Sequence, residues 1–547
     1  LLAAFALGWD ILTFIIMMPL SIAVFLLISE WPKSLAKQKA ALAIAHAPCI
    51  VTQTCVSLKQ MPSLEGALRF VAEHGEGRIA RDLKEMLWQT WTGKVKSPYK
   101  AIEQVAAKWG RFSRGFQRSV HLIVSSFYEK DVKAKLKTLD KAIEVVLSDI
   151  TEKMKEYALS LHMPTLILFS LGTIVPLMVI SLFPIVSFFG FQINALTITL
   201  FLFLSLVFCY IYSTIVLKKR PAALSLPELT DLPAGKSGWF EEKAAPMGLA
   251  LAIIISIPSF FYILSFLGVA LFGPLQVLSS WFGGYGLVWG IGIGVTVWAW
   301  LKSSGKKKQR KRVRELEEQF IDGLFHIKNR LSDGRPVESA LEFSREILGS
   351  LRIAQLFESI LKRMRRKSAT LEQAIREEKV ESNLVNFVFR MLAGSLKEGR
   401  KAAAQTASVM YIYLTRIKKV ERNMTAMLGK SLSMMKATVL FFAPIVCGII
   451  IVLFQLITTT ISKAGEKFSA DYGFQGLFTA PAINPVAMQL VVGVYALALN
   501  YVLLRYVSRI QFGADDVAFQ SELSKAMPIT LVIFTATLIA SKLTLLR

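Results

Sequence analysis

At 547 residues, with 53% hydrophobic side chains and a mean hydropathy of +0.48, the chain is too apolar for an ordinary soluble protein and long enough for several domains. The formal charge is +25, from 64 Lys and Arg against 39 Asp and Glu, so the location of the cations is the first organisational question. Cys49, Cys55, Cys209 and Cys447 have no metal-ligand spacing, and His46, His74, His121, His162 and His326 form no HExxH or i, i+4 pair, which excludes a recognisable zinc hydrolase.

Taken in chain order, apolar runs long enough to cross a hydrocarbon core fall at 11–29, 164–189, 195–217, 247–272, 281–301, 437–461, 486–504 and 527–546. The expectation is an all-α polytopic membrane protein with about eight transmembrane helices. The opening LLAAFALGWD carries no basic segment ahead of its apolar residues, which argues against a secretory leader. Trp31 closes the first run, and Trp281, Trp298 and Trp300 bracket the fifth, as rings at headgroup level would. Inside the fifth, Gly286, Gly290 and Gly294 recur every four residues and clear one face, either for a neighbouring helix of the same chain or for self-association.

Between the runs lie two polar blocks. Residues 30–159 hold 22 Lys and Arg against 14 Asp and Glu, and residues 302–436 hold 30 against 15. With the 218–246 linker and the 505–527 loop they gather 60 of the 64 cations on one side, which the positive-inside tendency makes cytoplasmic. Eight spans with both ends of this sequence outside satisfy that count. The domain order is then 1–29, one span; 30–159, a helical domain; 160–301, four spans; 302–436, a second helical domain; and 437–547, three spans.

Both blocks read as helix. Leu136, Leu139, Ile143, Val146, Leu147, Ile150 and Met154 recur at three and four, as do Ile353, Leu356, Phe357, Ile360, Leu361 and Met364, and then Leu384, Val385, Val388, Met391, Leu392, Ser395 and Leu396. Helix breaks are expected at Ser332-Asp333-Gly334 and Lys397-Glu398-Gly399. No alternating β pattern competes, and each block is expected to be a bundle of five or six helices.

The blocks also look duplicated. Leu64-Glu65-Gly66-Ala67-Leu68-Arg69-Phe70 matches Val337-Glu338-Ser339-Ala340-Leu341-Glu342-Phe343, and Lys100-Ala101-Ile102 matches Gln373-Ala374-Ile375 at the same offset of 273 residues. Further on, Thr151-Glu152-Lys153-Met154 faces Glu421-Arg422-Asn423-Met424, and Val175-Pro176 faces Ala443-Pro444 at the foot of an apolar run. Within this repeat Glu65, Ala67, Leu68, Glu338, Ala340 and Leu341 form the expected packing motif.

Chemistry-bearing patterns are sparse. Lys, Arg, Asp and Glu avoid the interiors of the runs, which argues against an ion pump or coupled transporter. Pro233-Ala234-Gly235-Lys236-Ser237 and Leu428-Gly429-Lys430-Ser431 imitate a phosphate loop but lack its first glycine, with Thr230 and Met424 in that place. No catalytic, cofactor-binding or metal-ligating residue is assigned, and the chain is not expected to be an enzyme. The run from Lys306 to Arg312 directly follows a span and is expected to set topology and touch anionic lipid. The cluster Arg363, Arg365, Arg366 and Lys367 lies some 60 residues from either span, where insertion has no need of it. No aromatic residues interleave with its cations, so nucleic acid is not expected as a partner.

On Leu64 to Leu68, Val337 to Leu341, Thr370-Leu371-Glu372-Gln373-Ala374-Ile375 and the Gly513-Ala514-Asp515-Asp516 that follows Arg509, the chain resembles the type II secretion system F-domain family, more narrowly the archaeal platform proteins of archaellum and type IV pilus-like machines. The first copy departs at Lys96-Ser97-Pro98-Tyr99, where Pro replaces the expected glycine turn. The resemblance implies a platform in the cytoplasmic membrane, without a catalytic site or cofactor. Its implied partners are a cytoplasmic hexameric secretion ATPase, pilin-like or archaellin subunits, the lipid membrane, and a second copy of the chain. Arg363, Arg365, Arg366 and Lys367 are the expected ATPase-docking residues. A transporter or channel built from repeats is the alternative.

Overall fold

The computed structural model describes residues 43–44, 46–60, 63–75, 77–188, 195–218, 243–266, 285–367, 369–378, 380, 382–472, 485–513 and 515–545. Among the described residues there is helix and no strand.

The first bundle comprises α1 (Ala47–Gln60), α2 (Leu64–His74), α3 (Gly77–Trp91), α4 (Pro98–Gly110), α5 (Arg114–Ser125) and α6 (Val132–Ser160). Its helix starts are locally encoded. Ser63, Ser97, Ser113 and Asp131 stand at N-caps, and their side chains accept from the backbone N–H of Gly66, Lys100, Phe116 and Lys133. Pro98 heads α4, where a missing N–H leaves no intrahelical bond unmade, so the substituted turn still starts a helix. Leu139, Ile143, Val146 and Leu147 form the buried stripe of α6, whereas Leu136, expected in it, is exposed near the start of the helix.

Beyond α6 the chain continues through α7 (His162–Phe169), a π-helical turn π1 (Ser170–Ile174) and α8 (Val175–Phe188). Then come α9 (Ala195–Lys218) and α10 (Ala244–Phe266). Next is α11 (Tyr285–Ser332), a single helix of 48 residues whose second half opens the second bundle. That bundle continues with α12 (Val337–Leu348), α13 (Arg352–Lys367), α14 (Leu371–Glu378), α15 (Asn383–Glu398) and α16 (Arg400–Ala437). Gly334 at φ +76° and Gly399 at φ +123° stand at the expected breaks, in backbone that β-carbon-bearing residues avoid. The last stretch is π2 (Thr438–Phe442), α17 (Ala443–Tyr472), α18 (Pro485–Phe512) and α19 (Asp516–Leu545).

In each bundle the successive helices pack on one another, and the last returns to the first. The bundles are not separate. α16 lies on α1 and α6, and one continuous apolar core runs from Ala43 to Leu414 through both. Tyr413 of α16 is buried in that seam and hydrogen-bonded to Cys49, and the ring of Phe70 lies 3.6 Å from where a Gly394 side chain would begin.

Six of the eight expected spans are present among the described residues. Helices long and apolar enough to cross a membrane run over Val132–Ile185, Leu196–Lys218, Ala244–Phe261, Ser431–Lys463, Ala487–Phe512 and Asp516–Ser541. The expected run 11–29 lies outside the described residues. The run 281–301 does not qualify because its helix, starting at Tyr285, is diluted by Gly286, Gly290, Gly292 and Gly294 and by Trp289, Trp298 and Trp300. It nevertheless packs along α10, α18 and α19. Its glycine face is filled from within the chain: a β-carbon on Gly290 would lie 2.1 Å from Ser256 Oγ, and one on Gly294 2.7 Å from Ala252 Cβ. The glycine repeat therefore serves the α10–α11 seam rather than self-association.

Candidate coupling site between the bundles and the membrane

Ala67, Leu68, Ala340 and Leu341 are fully buried, as the packing motif requires. Glu65 and Glu338 are not part of that packing. Both are exposed in the first turns of α2 and α12, where a carboxylate favours the helix N-terminus, and Glu65 accepts a 2.8 Å hydrogen bond from Trp91 Nε1.

The expected docking cluster sits at the end of α13, and two of its members are engaged internally. Arg363 Nε donates to Glu378 Oε2 at 2.5 Å, and its Nη1 lies 3.4 Å from Glu377 Oε2. Arg365 Nη2 lies 2.8 Å from Glu342 Oε1 and holds that carboxylate below its usual range. Arg366 is exposed, with no ion pair among the described residues. Lys367 is the last residue of the helix. The cluster therefore clamps α12, α13 and α14 together as well as offering charge to solvent. Nearby, Ser382 Oγ donates to Glu317 Oε1 at 2.6 Å, and burial pushes the Glu317 carboxyl pKa up.

The second feature is where the bundles meet the membrane helices. Arg310, in the basic run after the fifth apolar stretch, is a partly buried ion-pair partner of Asp515 rather than only a lipid-facing cation. Asp515 Oδ1 accepts from the Ala518 backbone N–H at 2.8 Å, and Arg509 Nη2 donates to Asp516 Oδ1 at 2.6 Å. Gly513 turns the chain between them at φ +76°. Gly513 thus turns the chain and Asp515 caps the following helix, and α11 grips that cap through Arg310. Lys436 Nζ, 3.0 Å from Glu522 Oε2, ties α16 to the same helix α19.

The third feature was not read from the sequence. In π1 the Val175 N–H donates to Ser170 O, so Pro176 occupies the position that should donate to Leu171 O and has no hydrogen to give. Ser205 Oγ supplies that bond at 3.3 Å, and Tyr495 Oη donates to the next carbonyl, Gly172 O, at 2.5 Å. In π2 the Ala443 N–H donates to Thr438 O, and Pro444 leaves Val439 O without its donor. Asn500 Nδ2 fills that role at 3.3 Å and also contacts Thr530 Oγ1 at 2.5 Å. Nearer the bundles, Tyr506 Oη and Thr165 Oγ1 are 3.0 Å apart. Tyr495, Asn500 and Tyr506 all belong to α18 and are all buried. A proline in the interior of an apolar run was the available signal, because within a membrane the carbonyl it orphans must find a partner.

The phosphate-loop imitation at Leu428 to Ser431 lies inside α16 and is helix, not loop; the other imitation lies outside the described residues. Among the described residues no group of His, Cys, Asp and Glu is arranged to hold a metal. Comparison of the chain with family models, with curated proteins and with solved structures returns no match.

Proposed function

We propose that the chain is the integral platform of an archaellum, type IV pilus-like or type II secretion-like machine, coupling a cytoplasmic secretion ATPase to the assembly of pilin-like subunits. The observation that carries this is the pair of basic six-helix bundles with one order of packing, joined in one core, from which α6, α11 and α16 run on toward or into the membrane helices. Force applied to the bundles has a direct path along those helices. In this reading the bundles are duplicated and cytoplasmic, the spans number eight, and the platform sits in the cytoplasmic membrane as a homo-oligomer. The exposed Arg366 with Lys367 and the outward side of Arg365 meet an acidic face of the ATPase.

The test is binding of the full chain in lipid nanodiscs to the secretion-type ATPase encoded beside it. Salt-sensitive binding with altered ATP hydrolysis is expected. Absence of binding at low salt removes the reading.

A transporter or channel is the second reading, favoured by the interrupted helices and uncharged polar side chains among the spans. Against it, the carbonyls freed at Pro176 and Pro444 are occupied by Ser205 and Asn500 rather than left to coordinate a solute. Solute flux into liposomes carrying the chain would favour it.

A further inference from the structure

α9 and α18 pack side by side. Ser205 meets Tyr495 and, further along both helices, Tyr210 meets Arg505, so the two run in the same direction. Both end on the side of the bundles, because Asp515, just beyond α18, pairs with Arg310 of α11 and Glu522 pairs with Lys436 of α16. The apolar run of α18 covers the 19 residues from Val486 to Leu504, about 28 Å at 1.5 Å per residue and so about one hydrocarbon core. Arg505 is the next residue, which sets it at headgroup level in the leaflet that faces the bundles.

The cations around it are neutralised within the chain: Arg509 by Asp516, Arg310 by Asp515 and Lys436 by Glu522. Arg505 has no carboxylate partner among the described residues. Its Nη1 donates to Tyr210 Oη at 2.6 Å, and its guanidinium carbon lies 4.9 Å from the centroid of the same ring. The tyrosine thus pins the guanidinium from one side without cancelling its charge, and a cation at this depth is costly until an anion meets it. Having accepted from Arg505, the Tyr210 hydroxyl still has its own hydrogen to give. Leu196, Phe203 and Tyr210 recur every seven residues along α9 and are all exposed, so the ring stands on the face that α9 turns to lipid.

We propose that Arg505 and Tyr210 form a binding site for one anionic phospholipid headgroup in the leaflet facing the bundles. The remaining guanidinium N–H groups and the Tyr210 hydroxyl donate to its phosphate diester, the bidentate geometry that arginine suits. A zwitterionic headgroup carries its own cation beside the phosphate and leaves Arg505 uncompensated, so the site selects net negative charge. A lipid held there bridges α9 and α18, the helices that supply Ser205 and Tyr495 to the carbonyls of the first π turn. The site stands whatever the function of the bundles.

Native mass spectrometry of the full chain, released from nanodiscs of equal parts phosphatidylglycerol and phosphatidylcholine, tests this. One phosphatidylglycerol is expected to stay with the parent under activation that strips phosphatidylcholine. Arg505→Gln should lower the retained fraction about tenfold, and Arg505→Lys, which keeps the charge but not the fork, should lower it less. Tyr210→Phe keeps the ring and removes the hydroxyl, should lower retention about threefold, and decides the matter if Arg505→Gln does not fold. Phosphatidylglycerol should also raise the unfolding midpoint of the parent above its value in pure phosphatidylcholine, and that difference should shrink in the variants. Equal retention of the two lipids by the parent, or retention of phosphatidylglycerol that the substitutions leave unchanged, overturns the proposal. Displacement of the lipid by excess soluble glycerol 1-phosphate overturns it too, since a free phosphate ester would then be the ligand.

Discussion

The Tyr495 hydroxyl donates to the Gly172 carbonyl across 2.5 Å, although 323 residues separate them in the chain. Pro176 supplies no hydrogen of its own beside that carbonyl, so the phenol completes the first π turn from outside the helix. Asn500, five residues along α18, does the same for Val439 in the second. Tyr495 and Asn500 are therefore spent on backbone.

Tyr495→Phe keeps the ring and removes only the donor. Interhelical hydrogen bonds in membranes are worth about 1 kcal/mol, so the expected result is a lowered midpoint of thermal unfolding without loss of the fold. An unchanged midpoint in detergent would mean that Gly172 O needs no partner.

Ala67→Leu and Ala340→Leu each push a larger side chain into a site with no exposed surface. Overpacking of that kind costs about 1–3 kcal/mol. Because both alanines line the shared core, either substitution should lower the unfolding midpoint of the full chain. If one is silent and the other is not, the two sites do not pack alike.

Arg363 and Arg366 should separate structural from docking charge. Arg363→Glu sets a third carboxylate beside Glu377 and Glu378 and should destabilise the α13–α14 corner. Arg366→Glu touches no ion pair among the described residues and should leave stability alone while slowing ATPase association at low salt. Surface plasmon resonance at two salt concentrations, alongside unfolding midpoints, reads both. Equal destabilisation by the two variants would contradict the division.

Much of the bundle architecture is legible locally. Ser63, Ser97 and Ser113 announce helix starts, Gly334 and Gly399 announce ends, and the periodic apolar residues name the buried faces. Residue interactions across the chain are not. Arg363 reads as a free cation until α14 folds back to bring Glu377 and Glu378 against it, 14 and 15 residues away. The joining of the bundles through α16, α1 and α6 leaves no periodic mark, since a stripe facing a second bundle reads like one facing its own. Val175-Pro176 and Ala443-Pro444 are visible as matched anchors, but a π turn and its donor become apparent only when α18 is in place.

Glu317 gives a pH-dependent prediction. Its carboxyl is buried between α11 and the start of α15, accepts from Ser382 Oγ at 2.6 Å, and is raised above the usual carboxylate range chiefly by burial. The folded protein then holds that proton more tightly than the unfolded chain does. Stability associated with this group is complete below the unfolded pKa and falls as pH rises through the folded pKa. Glu317→Gln keeps an oxygen for the Ser382 hydroxyl and cannot ionise. The unfolding midpoint of the variant should match that of the parent in acid and exceed it increasingly toward neutral pH. The coulombic pull of Lys418 opposes burial at this site, so the gain should shrink in Lys418-intact protein and grow when Lys418 is replaced by Met. Midpoints measured across the acid-to-neutral range on the four proteins of that cycle decide the matter, and a variant less stable than the parent at neutral pH would show that the ionised carboxylate is the stabilising form.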